Sequence, residues 1–292
     1  LLTITGSMSE STKLLIAPGA LFRAAWARLK QRQKTLLILS ALYAASILLY
    51  SLYAQGDPNL ELTNPSSILF VVGFILFTLL YVLIAVWAPL ALLIASLSKE
   101  TTSNVKVTLK KSLKLIIPSI GINIVMMVIV LGGYIAFIVP GIILAVQLMF
   151  ALYVYVDENL GIMDSIRKSR ILVRGRWWAI VGRSILLSLA VYALFIIAGI
   201  ISYIIGVAVG GGELAQIILT SIVMFLYIPY TMCFMAELYL SLKESRGEIT
   251  PEQKEKNEHY LHVWLIVGIV LIALAIAGGI AAGIFVAINA AS

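Results

Sequence analysis

Few side chains of this 292-residue chain could do chemistry, and most of them lie where water is scarce. Glu237 is the only carboxylate or cationic base inside a long apolar run. Such a group either pairs with another charge or carries protons or substrate across a membrane. Lys243, six residues further on, and Arg183 are the partners the sequence suggests. Gln147 and Asn123 are the other deep polar candidates. His259 and His262 share one helical face, but two imidazoles without a third ligand read as interfacial anchors rather than a metal site. Cys233 is the single cysteine, which excludes an internal disulfide and a Cys-based zinc site. The chain contains no Walker loop, dinucleotide fingerprint, HExxH or GxSxG. The reading is therefore non-enzymatic, with no cofactor and no metal.

The elements that must hold these residues are membrane helices. Hydrophobic residues make up 61% of the chain and charged residues 12%. A soluble domain is nearer half apolar and a quarter charged. Alternating barrel strands are absent, so the predicted fold is all-α, a polytopic transmembrane bundle. Residues 115–156 run without a charge, and as one helix they would reach about 63 Å, twice the hydrocarbon thickness. A hairpin must interrupt them, and Gly132-Gly133 with Pro140-Gly141 supply the break. Seven crossings follow, near 35–55, 66–97, 115–133, 141–156, 184–209, 214–242 and 262–289. The first follows a basic stretch and is long enough to span, so no cleaved leader is predicted.

The charges set the orientation. Segments 1–34, 99–114, 157–183 and 243–262 hold all 21 Lys and Arg, while the opposite connections carry only Asp57, Glu61 and Glu213. The positive-inside rule then puts the amino terminus in the cytoplasm and the carboxyl terminus outside the inner membrane. The inside segments are amphipathic. Leu21, Phe22, Ala25, Trp26 and Leu29 form one stripe in 18–34, and Val105, Leu109, Leu113 and Ile116 another in 103–117. In 160–178, Asp164 comes early and Arg167, Lys168, Arg170 and Arg174 late, an order that suits the helix dipole, with Gly175 as the stop. These read as basic interfacial helices, with their apolar stripes in lipid or on the bundle and their charges near anionic lipid, without nucleic-acid binding. Leu109–Ile116 matches Ile166–Val173 in character at an offset of 57, a weak internal repeat.

Three parts result: 1–34 with an interfacial helix, 35–247 with six spans, and 248–292, where a helix capped by Thr250-Pro251 runs into a seventh span. In that span Ala275, Gly279, Gly283 and Ala287 recur every four residues. Small residues on one stripe let backbones approach, so it is predicted to pack on the six-span unit or on a second subunit.

One stretch carries a resemblance. Pro140 and Gly141 open a span, and Glu158 and Gly161 leave it. Ser165, Lys168, Ser169, Leu172, Gly175 and Trp178 follow, with Pro229 and Tyr239 near the end of span six. This pattern resembles the membrane-domain family of glycerophosphodiester phosphodiesterases and related six-helix integral membrane proteins. The resemblance covers roughly 18–247 and leaves span seven as an addition. It implies a fold rather than hydrolysis, because no segment here could hold a phosphodiesterase barrel of about 250 residues. The role it implies is a scaffold, accessory subunit or envelope-homeostasis factor. A secondary transporter or lipid-handling protein is the alternative, and it would need a polar mid-membrane cavity lined by broken helices.

Overall fold

The computed structural model describes residues 15–54, 65–98, 104–210, 212–246 and 251–291. Among them are ten helices: α1 (Pro18–Gln31), α2 (Gln33–Ala54), α3 (Pro65–Leu97), α4 (Val105–Ala136), α5 (Ile138–Leu148), α6 (Ala151–Glu158), α7 (Ile162–Val173), α8 (Trp177–Val209), α9 (Gly212–Arg246) and α10 (Pro251–Ala291). The chain is a polytopic helical bundle. Seven stretches are long and apolar enough to cross a membrane, with α5 and α6 together forming the fourth. Each falls on a predicted crossing. Large apolar side chains such as Leu76, Leu83 and Ile117 stand exposed on its flanks, as lipid-facing residues do.

The hairpin turns inside the predicted interval, between the Gly-Gly and Pro-Gly pairs. Gly132 and Gly133 lie inside α4, and the chain turns at Phe137, whose backbone is extended. The two glycines serve packing instead. A Cβ on Gly133 would sit 3.0 Å from the Gly141 Cα, so α4 and α5 cross almost backbone to backbone. Pro140 occupies the first turn of α5, where its missing N–H costs nothing.

Two of the three predicted interfacial helices have a different inward face. α4 runs unbroken from its basic start through the span. Thr108, Ser112 and Ser119 face the core, while Leu113 is exposed. The hydroxyl stripe lets α3 come close, and the Trp87 indole N–H donates to Ser112 Oγ at 2.7 Å. α7 is separate, ending at Gly175 with φ 81°, but Ser165, Ile166, Ser169, Arg170, Ile171, Leu172 and Val173 are all buried. It is a wedge inside the bundle rather than a helix on the surface. Ser112 and Ser169 hold the same register of the 57-residue repeat, and both are fully buried with an N–H from the preceding span on their hydroxyl. The third, α1, buries Leu21 and Ala25 against α9, where Phe22 meets Phe234 edge-on at 5.0 Å.

Proline inside α9 leaves a debt that another helix settles. Pro229 has no N–H for the Phe225 carbonyl, and Ser40 Oγ of α2 donates to it at 3.1 Å. Ser40 is fully buried, so this bond ties spans one and six together in a medium that offers no water.

α10 begins at Pro251, as predicted, while its expected cap at Thr250 lies outside the described residues. It docks on α4 and α7 through Tyr260, Leu261, Trp264 and Leu265. Gly268 meets Gly132 and the Val128 carbonyl so closely that a Cβ on either glycine would overlap the opposite backbone. The predicted stripe is not this contact. Ala275 and Gly279 are exposed, and nothing lies within 4 Å of where a Gly279 Cβ would be. The side chains of Gly283 and Ala287 lie outside the described residues. Within the chain, close approach falls instead where Gly132 leaves room on α4, two turns before the stripe begins, which leaves the second-subunit arm of the prediction.

Candidate functional site

Three polar knots gather where the ends of α1, α3, α6, α7 and α9 meet. The first closes the N-terminal helix onto the bundle. Arg28 Nε donates to Glu237 Oε1 of α9, and Arg28 Nη1 reaches the Ser96 carbonyl at 2.9 Å. Arg32 donates to the carbonyls of Ser96, at 3.2 Å, and Ser98. The last carbonyls of a helix have no partners within it and carry its negative pole, so two guanidinium groups here cap α3 by hydrogen bond and by charge. Burial, and then the Arg28 charge beside it, lower the Arg32 pKa from its ordinary value. The predicted partners of Glu237 are engaged elsewhere. Lys243 belongs to the second knot, and Arg183 donates to the Ile16 carbonyl at 2.6 Å. Arg28 went unseen because its helix read as interfacial and because 209 residues separate the pair.

The second knot joins α6, α7 and α9. Tyr239 Oη donates to Asp157 Oδ2 at 2.9 Å. Lys243 Nζ lies 2.5 Å from Asp157 Oδ2 and 3.0 Å from Glu158 Oε1, and Lys168 Nζ pairs with Glu158 Oε2. Two carboxylates and two ammonium groups leave the knot neutral. Asp157, two positions from the α6 C-cap, brings its charge to the negative end of that helix and therefore needs these cations.

The third knot fills the break between α5 and α6. Ser169 Oγ accepts from the Phe150 N–H at 3.2 Å and donates to the Gln147 carbonyl at 2.9 Å. Arg170 Nε donates to Gln147 Oε1 at 3.1 Å, and its guanidinium lies 3.3 Å from the Tyr260 ring centroid on α10. Burial, with the Arg174 charge adding to it, lowers the Arg170 pKa to about 10, and the Tyr260 phenol group acts in the opposite sense, so the group stays charged at neutral pH. Ser169→Ala removes both bonds and leaves the Phe150 N–H buried without a partner. The expected loss is about 2 kcal/mol, read as a lower melting midpoint in detergent, whereas Ser169→Thr should retain most of it.

Of the sequence candidates, Glu237 and Gln147 therefore lie in knots, together with Glu158, Lys168, Ser169 and Tyr239. Gly161 is the N-cap residue of α7. Asn123 is not part of any knot: it is exposed, and its Nδ2 bonds the Ser119 carbonyl of its own helix at 2.8 Å. His259 and His262 are exposed on α10. Sequence reasoning missed Arg28, Arg32, Arg170 and Tyr260. The usable signal was a broken fourth span, whose freed backbone groups had to find donors and acceptors on another helix.

No family model, curated protein or solved structure matches the chain.

Proposed function

We propose that this is a non-enzymatic integral membrane protein acting as a scaffold, accessory subunit or envelope-homeostasis factor, with its seventh span as the contact for a partner or for a second copy. The observation that carries this reading is the outer half of α10. All ten residues from 273 to 282 are exposed in the single chain, on every side of the helix. Ala273, Ala275, Ala277, Gly278, Gly279, Ala281 and Ala282 give it a surface of small residues, which favours a neighbouring helix over lipid. The knots support the same reading. Asp157, Glu158 and Glu237 each brace one helix against another, which serves a rigid frame.

Native mass spectrometry after gentle extraction tests the proposal. A protein partner or a second copy should be retained by the wild type and lost from Ala275→Leu/Gly279→Leu, with the melting midpoint of the isolated chain unchanged. A lone chain that carries a stoichiometric solute would instead favour transport.

The same reading puts the amino end and the knots on the cytoplasmic side of the inner membrane, in line with the positive-inside segregation. Single cysteines at Ser9 and Ser292, in a chain lacking Cys233, should be labelled by impermeant reagents from opposite sides. Labelling of both from one side would remove a crossing.

A further inference from the structure

Beside the knots, one cavity has a different character. It occupies about 290 Å³ and is lined by Arg174, Gly175, Arg176, Ser245 and Arg246. Three of its five lining residues are arginines and none is acidic. Among the described residues, no carboxylate pairs with Arg174 or Arg246. Arg176 is engaged with Ser245, donating to its hydroxyl and, at 3.1 Å, to its carbonyl. That bond holds the end of α9 beside the start of α8 and forms one wall. Like charges around one cavity repel, and an arrangement that gathers them is favourable when an anion sits between them.

We propose that this cavity binds a phosphate group, carried by an anionic lipid headgroup or by a soluble phosphate. The Arg174 and Arg246 guanidinium groups each offer a planar fork of donors that matches phosphate oxygens two at a time, while Arg176 adds its charge. At about 290 Å³ the cavity lies at the small end of ligand pockets, a size that suits a headgroup or a free phosphate. Gly175, at φ 81°, turns the chain between Arg174 and Arg176, and a Cβ there would come within 3.7 Å of Arg246 Nη2. The first turn of α8 has no side-chain cap, so the positive end of a 33-residue helix opens beside the cavity. Trp178, 80% exposed in the same turn, is the kind of indole that rests at headgroup depth. This inference stands apart from the partner contact on α10, and either can fail alone.

The test uses the full chain in nanodiscs of phosphatidylcholine with or without phosphatidylglycerol, followed by native mass spectrometry. The wild type should retain phosphatidylglycerol, and Arg174→Gln/Arg246→Gln should retain it about tenfold less. Lys106→Gln/Lys110→Gln, which removes the same charge from the exposed start of α4, should retain it fully. A parallel melt in detergent compares sodium phosphate with sodium chloride at equal ionic strength. A midpoint raised by phosphate in the wild type alone identifies a site that accepts the free anion; lipid retention without that response identifies the headgroup as the source. Equal lipid retention by the wild type and the arginine variant, together with an equal response of both to phosphate, overturns the proposal, and so does equal loss in the lysine variant. In pure phosphatidylcholine the arginine variant should melt at or above the wild type, since mutual repulsion is relieved. A large drop there would make the arginines structural and also overturn it.

Discussion

Glu237→Gln lowers the stability of the bundle by about 2 kcal/mol, because it leaves the Arg28 charge without its counter-charge. Breaking a fully buried pair from one side costs about 3–5 kcal/mol. The side chains here are 16% and 19% exposed, so some water reaches both and the expected loss is smaller. The amide can still accept one bond from Arg28, which also moderates the effect. Thermal unfolding of the purified chain in detergent reads the difference. Glu244→Gln, two turns further along α9 and exposed, should stay within about 0.5 kcal/mol of wild type. Adding Arg28→Gln to Glu237→Gln should cost less than the sum of the single changes, as for any pair in direct contact. An unchanged midpoint for Glu237→Gln would show the carboxylate to be fully solvated and the brace absent.

Gly268→Leu should be more damaging still, by more than about 3 kcal/mol. A flexible side chain can move aside, but the atoms a Cβ would strike here are the Val128 carbonyl and the α4 backbone. α10 must therefore withdraw along its whole docked length. The withdrawal takes the Tyr260 ring off Arg170 and uncovers Leu261, which is fully buried. Gly132→Leu makes the same collision from the other side and should have the same effect. Gly279→Leu, in open space, should leave the melting midpoint of the isolated chain unchanged. Equal behaviour of Gly268→Leu and Gly279→Leu would mean that α10 is not docked through its glycine.

How legible the fold was depended on the residue. The spans were readable because a backbone without water must be helical and its side chains apolar, which leaves long uncharged runs. The hairpin and its place were readable from the length of 115–156 and its Gly and Pro residues, but the role of the glycine pair was not. Gly132-Gly133 could signal a turn or a close crossing, and only α5 and α10 lying against them decide for the crossing. α7 misled for a related reason. Five basic residues in 160–178 suggest a solvated face, yet the break at Met149 and Phe150 calls for hydrogen-bonding groups, and Ser169 and Arg170 turn inward to meet it. Glu237 was rightly singled out from its apolar setting. Its partner was not, because local spacing points to Lys243 and carries no trace of a helix 209 residues away.

That separation bears on how the protein is made. α1 leaves the ribosome well before α9, which carries the carboxylate that will hold it. At about 5–20 residues per second, Arg28 waits roughly 10–40 s for Glu237. Through that interval its charge, and that of Arg32, has no acidic partner from α9. Until then the carbonyls at the end of α3 are the partners on hand for both arginines, and the brace that holds α1 against α9 closes only when α9 is in place. A ribosome-bound intermediate stalled before α9 should leave α1 open to protease, and one stalled well after it should not.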